Sequence, residues 1–273
     1  MSVFRTRFAP SPTYFLHLGH ALSAFYVWRA AEAEGGEVLL RIEDIDTTRC
    51  RPEYTDAIFE DLHWLGFDWP EPVRIQSAHF DAYQTCVDRL NNMGLAYRCF
   101  RTRAELAALK DPLRPGPLPD DDQARLIEQG AAFAWRLSLK RAREYLGSAY
   151  DALTFQEMTA GGQVTRAADP DQHGDIVIAR KDSPSAYHIA ATHDDALQGM
   201  THIIRGEDLI DAPHIQTLLQ VLIDWPQPIY QHHPLLLDDD GNKLSKRQES
   251  ISLASLRADG MTADQVRARL GFA

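Results

Sequence analysis

The sequence predicts an α/β fold: a parallel sheet with crossover helices, a small α+β insertion and a short C-terminal helical segment. Three observations carry this. Strand-like and helix-like stretches alternate from Val3 to Cys99. The rhythm breaks between about Thr102 and Asp182, where Asp111-Pro-Leu-Arg-Pro-Gly-Pro-Leu-Pro has neither a helical nor a strand period. It returns from Tyr187 to His233 and ends in two short helical patterns. The expected division is 1–100 and 183–235 for the two halves of the sheet domain, 101–182 for the insertion, and 236–273 for a lysine loop with the C-terminal helices.

Val3 to Phe8 alternates as a strand, and Pro10 and Pro12 stop it. From Leu18 onward Leu22, Phe25, Tyr26, Ala30 and Ala33 recur at helical spacing. Glu37 to Ile42 is a second strand, closing on Glu43-Asp44-Ile45-Asp46. Pro52 and Glu53 open a helix running to about Leu65, with Ile58, Phe59 and Leu62 inward. A third helix runs from His79 to Met93, ended by Gly94, and the strand Leu95 to Cys99 follows. Within the insertion, Phe133 to Leu139 and Asp175 to Ala179 read as short strands, with Gly161-Gly162 between them. Alternation resumes at Tyr187 to Thr192, followed by a strand at Thr201 to Arg205 and a long helix at Leu209 to Ile223. Ile229 to His233 is the last strand, and Leu253 to Arg257 and Thr262 to Leu270 are short helices.

With 273 residues, 44% hydrophobic and 25% charged, the chain has the composition of a soluble globular protein with a sizeable core. No apolar run approaches the roughly 20 residues of a membrane span, so no membrane partner is expected. The N-terminus enters a strand without a leader pattern, and three cysteines at wide spacing are a poor disulfide framework. A cytoplasmic monomer is the expectation. A net charge of −11 argues against indiscriminate coating of nucleic acid. The charge is uneven, however: 97–143 is net +4 and 241–273 net +3. That fits an enzyme gripping a polyanion at defined places, and it fits random surface variation too.

The chemistry gathers where the first strand hands over to the first helix, at Arg7-Phe-Ala-Pro-Ser-Pro-Thr-Tyr-Phe-Leu-His-Leu-Gly-His20. His17 and His20 are three apart and share a face, the helix N-terminus offers unpaired N–H groups, and Gly19 leaves room for a ligand. Together these describe a triphosphate site. The stretch alone also fits a capped helix with two incidental histidines. Far downstream, Lys243-Leu-Ser-Lys-Arg247 follows an Asp-Asp-Asp-Gly-Asn turn on an exposed loop, which alone is an ordinary solvated loop. In open parallel sheets ligands bind beyond the carboxyl ends of the strands. The first strand ends at the histidine motif, the second at Glu43, and the Thr201 strand at Arg205.

Pro-Ser-Pro-Thr, then His-Leu-Gly-His, then a late Lys-Leu-Ser-Lys resembles the paired signature motifs of class I aminoacyl-tRNA synthetases, and the neighbouring residues resemble the glutamyl branch. The resemblance implies a Rossmann catalytic fold of the class I synthetase type. It also implies L-glutamate and ATP with Mg2+ as substrates. It assigns Arg7, Glu43, Tyr187 and Arg205 to the amino-acid pocket, with Ala9 and Ser11 adding backbone and hydroxyl contacts. Guanidinium forks suit the two carboxylates of glutamate, and Glu43 suits its ammonium. His17, Gly19 and His20 would hold ATP, and Lys246, helped by Lys243, would stabilise the departing pyrophosphate.

Two departures stand out. Tyr14 occupies a position where relatives usually carry glycine, and is expected to crowd the ATP approach or alter the turn. Many relatives hold zinc in the insertion through Cys-x-Cys and a later tyrosine and cysteine. Here Cys99 is followed by Arg101 at the second position and by no further cysteine, so no zinc is expected. The sequence ends 26 residues after Arg247, without the large helical anticodon-binding region of complete glutamyl-tRNA synthetases. That layout resembles the truncated paralogues, the glutamyl-Q tRNA(Asp) synthetases, which activate glutamate without tRNA and attach it to queuosine in the anticodon of tRNA(Asp). The alternatives are a conventional glutamyl-tRNA synthetase core, a small-molecule nucleotidyltransferase and a non-catalytic tRNA-binding paralogue.

Overall fold

The computed structural model describes residues 3–236 and 251–272. The lysine loop, with Lys243 and Lys246, lies outside the described residues. The chain enters through β1 (Arg5–Phe8) and α1 (Leu18–Ala33), then β2 (Glu37–Ile42), α2 (Pro52–Trp64), β3 (Arg74–Ile75), α3 (Phe80–Asn92) and β4 (Ala96–Cys99). Four helices and four strands follow: α4 (Arg103–Ala107), α5 (Asp120–Glu128), β5 (Ala134–Leu137), α6 (Leu139–Leu146), α7 (Ser148–Asp151), β6 (Thr154–Thr159), β7 (Gly162–Ala167) and β8 (Val177–Ala179). The last third holds α8 (Tyr187–Leu197), β9 (His202–Gly206), α9 (Ala212–Ile223), β10 (Ile229–His233), α10 (Leu253–Ala258) and α11 (Ala263–Arg269).

The sheets confirm parallel α/β architecture. β1, β2 and β3 run parallel in that order, and β10 runs parallel to both β9 and β6. β1 and β9 lie side by side: Thr201 N–H donates to Arg5 O at 2.9 Å, and the Arg7 guanidinium reaches Ile204 O at 3.4 Å. Both residue numbers advance together, so these strands share a direction. The carboxyl ends of β1, β2 and β9 therefore gather at one edge.

Each face of this arrangement has its own core. On one side α1 buries Ala21, Ala24, Phe25, Val27 and Ala31 against Leu40, Ile58, Leu62, Leu253 and Val266. The buried stripe is shifted from the predicted one, since Tyr26 and Ala30 are only half-buried and Ala33 is exposed. On the other side α3, α8 and α9 pack Tyr83, Leu90, Ile189, Leu218 and Leu219 with Leu137 and Ile178.

Five differences from the expected elements stand out. The strand at Leu95 to Cys99 forms, but pairs antiparallel with β5 instead of extending the parallel sheet. The Phe133 to Leu139 strand stops at Leu137 because Ser138 caps α6, its hydroxyl accepting from Arg141 N–H. Gly161-Gly162 closes the β6–β7 hairpin, and β6 then pairs with β10, so the hairpin joins the main sheet. Tyr187 to Thr192 is helical, and α9 begins at Ala212, with Pro213 in its first turn, after a short 3-10 turn at Glu207–Leu209.

Candidate active site

His17 is the N-cap of α1, and the cap is reciprocal. The His17 Nδ1 accepts from Gly19 N–H at 3.1 Å, and the His20 Nδ1 accepts from His17 N–H at 3.1 Å. Both rings thus accept through Nδ1, which leaves the N–H of each neutral ring on Nε2. The rings lie 3.9 Å apart at their centroids. Gly19 favours this cap: a Cβ there would stand 3.0 Å from His17 Cε1, so the ring would have to give way by a few tenths of an ångström. The missing side chain makes room for the histidine ring itself.

Beyond the ends of β1 and β2 lies a cavity of about 220 Å³ lined by Ser11, Thr13, Glu43, Asp46, Tyr187 and Arg180, among others. Three of the expected amino-acid residues, Ser11, Glu43 and Tyr187, reach its wall. Arg7, Ala9 and Arg205 do not line it. Arg7 and Arg205 stand behind it in a buried network of charges.

Asp195 on α8 is the hub of that network. It accepts from Arg7 Nε at 3.0 Å and from Arg41 Nη1 at 2.8 Å, and Arg41 Nη2 donates to Glu43 Oε1 at 2.9 Å. All four side chains are buried. Burial works to raise the Asp195 carboxyl, but Arg7 and Arg41 outweigh it and hold it below the usual carboxylate range. Glu43 goes the other way: burial pushes it up, against the pull of Arg41 and Arg7. The Tyr187 phenol is likewise raised by burial, with Arg205 and Arg7 pulling it down and Glu43 and Asp195 pushing it up. The wall of the cavity and the charges behind it thus form one electrostatic unit.

Arg205 donates to Gln216 Oε1 at 3.1 Å and from Nε to His232 Nε2 at 3.3 Å. Its Nη2 is buried with no hydrogen-bond partner among the described residues. A buried, unpaired guanidinium donor costs stability unless an acceptor arrives, which suits an anionic ligand. At the rim, Asp46 is pulled down to about 2, chiefly by the Thr48 hydroxyl, with Arg49 and Arg180 adding to it.

Sequence reasoning missed Arg41, Gln76, Arg180, Asp194 and Asp195. The signal was present in one place: Asp194-Asp195 stands between Ile189-Ala190-Ala191 and Ala196-Leu197, and acids inside such a helix need buried partners. Asp194 has them in Arg74, at 2.8 Å, and Tyr83 Oη, at 2.8 Å.

Tyr14 does not strain its turn, since Asp224 is the only non-glycine described residue with a positive φ. Its ring is 55% exposed beside Tyr54. Cys99 is buried in β4, and among the described residues no group of three or more His, Cys, Asp or Glu is placed to hold a metal. No described helix is long and apolar enough to cross a membrane.

The chain is 38% identical to a glutamyl-Q tRNA(Asp) synthetase from Rhodobacter capsulatus, over 98% of this chain and 99% of that one. It is 36% identical to a glutamate–tRNA ligase from Aquifex aeolicus, covering 95% of this chain and 55% of the ligase. A crystal structure of a glutamate tRNA ligase from Elizabethkingia meningosepticum, in complex with its amino acid, superposes with a TM-score of 0.73. That match has 28% identity and covers 95% of this chain and 54% of that one. The chain thus spans about half the length of the glutamate ligases it matches. The family described as tRNA synthetases class I (E and Q), catalytic domain, matches residues 3–270, and with the parallel sheet and the histidine-capped helix already in place, the chain belongs to that family of ATP-dependent ligases.

Proposed function

We propose that this protein activates L-glutamate with Mg2+-ATP in the absence of tRNA, then transfers the glutamyl group to queuosine in the anticodon of tRNA(Asp). The observation that carries the activation step is the cavity backed by Arg7, Arg41, Glu43 and Asp195, with the unpaired Arg205 donor behind it. Arg205 and Arg7 answer the ligand carboxylates, Glu43 the ammonium, and Tyr187, Ser11 and Ala9 complete the pocket. The α-carboxylate oxygen forms a bond to the α-phosphorus of ATP as the bond to the β-phosphate oxygen breaks, and pyrophosphate leaves. His17 and His20 donate Nε2–H to phosphate oxygens at the α1 N-terminus beside Gly19. Lys246 and Lys243 neutralise the leaving pyrophosphate. An RNA hydroxyl then attacks the acyl carbon and AMP departs.

The queuosine target is supported by the end-to-end similarity to the Rhodobacter glutamyl-Q tRNA(Asp) synthetase. A cytoplasmic monomer in which residues 101–182, apart from the β6–β7 hairpin that pairs with β10, form the acceptor-type subdomain belongs to the same reading. The test is glutamate-dependent exchange of labelled pyrophosphate into ATP without tRNA. Robust exchange is expected, reduced about 100-fold or more in Lys246→Ala. Exchange that begins only when tRNA is added would sink tRNA-independent activation and favour a conventional synthetase core.

A further inference from the structure

We infer that Glu157 and His232 are positioning residues for Arg205: they fix which nitrogen of the His232 ring meets the guanidinium, and so which guanidinium N–H is left for a ligand. The inference rests on the proposed glutamate pocket and deepens it with two residues outside the pocket motifs.

The side chains form a row across four strands. His232 on β10 is the register partner of Arg205 on β9. Glu157 on β6 is the partner of Tyr230, which stands two residues before His232 and therefore on the same face. Glu157 divides its two oxygens between two neighbours: Oε1 lies 3.1 Å from His232 Nδ1, and Oε2 accepts from Arg166 Nε on β7 at 2.8 Å. The Arg166 side chain is 54% exposed and that of His232 only 3%. The row thus runs from water, through the β6–β7 hairpin, to a buried arginine.

Burial and Arg205 hold the His232 ring below the usual histidine range, so at neutral pH it carries a single N–H. Burial works to raise the Glu157 carboxyl, but its bonds to Arg166 and His232 hold it below the usual carboxylate range. An ionised carboxylate can only accept, so Glu157 draws the ring N–H to Nδ1. Nε2 is left as an acceptor, and Arg205 Nε donates to it at 3.3 Å. Gln216 Oε1 accepts from Nη1 at 3.1 Å, and the Tyr230 ring centroid lies 5.2 Å from the guanidinium carbon. With Nε and Nη1 engaged, Nη2 is the buried donor without a partner among the described residues. Arg205 is 4% exposed, and of the charges acting on Tyr187, a residue of the cavity wall, its effect is the largest. The opposite tautomer of His232 would set Nε2–H against Arg205 Nε–H, two donors face to face. The guanidinium would then turn toward another acceptor, and Nη2 would lose its place.

The experiment is tRNA-free pyrophosphate exchange, with KM for glutamate, KM for ATP and kcat measured separately. The amide of Glu157→Gln has one oxygen for two donors. Where Arg166 takes it, the NH2 group donates to His232 Nδ1 and drives the ring to the wrong tautomer. KM for glutamate should rise about ten-fold, the worth of one hydrogen bond to a charged group. KM for ATP and kcat should stay within about two-fold, because only glutamate binding is weakened. Arg166→Ala alone should change KM for glutamate by less than about two-fold, since an exposed pair contributes little and the carboxylate still accepts from His232. Added to Glu157→Gln, it frees the amide oxygen for His232 and should bring KM back to within about three-fold of the natural value. His232→Leu should raise KM about ten-fold or more, with no rescue by Arg166→Ala. An unchanged KM in both Glu157→Gln and His232→Leu would overturn the positioning pair and leave the proposed pocket standing. A loss in Glu157→Gln that Arg166→Ala does not reverse would overturn it as well, and reduce Glu157 to a support of the hairpin. A natural chain without glutamate-dependent exchange would overturn the proposed function itself, and the pair with it.

Discussion

Asp195 accepts from two guanidinium groups, and at the residue scale this arrangement has the largest consequence. Removing the acid leaves Arg7 and Arg41 buried with one partner fewer, and breaking a buried pair typically costs about 3–5 kcal/mol. Asp195→Asn keeps the shape and removes the charge. It is expected to lower unfolding stability by about 3 kcal/mol in a urea titration, the low end of that range because the amide can still accept. Glutamate affinity should fall with it, since Glu43 is oriented by Arg41. A variant as stable as the natural chain would show that the network is not what holds these charges. Of the side chains in this hub, Arg7 and Glu43 were legible in the sequence because motifs mark them. Arg41 carries no local signature, Asp195 signals only that an acid in an apolar helix needs a buried partner, and the two meet only in the fold.

Among the elements, most strands and helices were legible, β2 and β10 to the residue, because period-two and helical patterns are local. Pairing was not. β4 looks like any four-residue strand, and its antiparallel partner β5 begins 35 residues after Cys99, in a segment whose rhythm is broken. The turn between α1 and β2 supplies a test of packing. At Gly36 an added Cβ would lie 2.3 Å from Phe4 O, a backbone atom that cannot swing away. Gly36→Ala is expected to cost about 1–3 kcal/mol, read as a lower urea midpoint with unchanged slope. Gly35→Ala next to it has open space but a φ of +59°, so any loss there arises from backbone strain alone.

For the whole molecule, α10 packs on α2 through Arg257, which pairs with Glu60 at 2.9 Å and stands 3.6 Å from the buried Asp61. Burial pushes the Asp61 carboxyl up to about 6, with Arg257 opposing. The unfolded carboxyl releases its proton near pH 4, so between about pH 4 and 6 the native state binds more protons. Stability contributed at this site therefore falls as pH rises through that window, and the penalty is complete above it. Asp61→Asn removes the titration. The difference in Tm between this variant and the natural chain should shift in the variant's favour from pH 4.5 to pH 7.5. A difference that does not vary with pH would show that Asp61 titrates normally.

The sequence by itself determined the α/β class, the interruption in the middle of the chain, and the motif residues around the first strand and helix. These follow from spacing within a few residues, where side-chain direction repeats with the backbone. Tertiary structure alone decided that Arg7 and Arg41 share Asp195, 188 and 154 residues away, and that the β6–β7 hairpin joins the main sheet. Contacts across such separations are selected by the packing of the whole chain, which has to satisfy every buried charge at once.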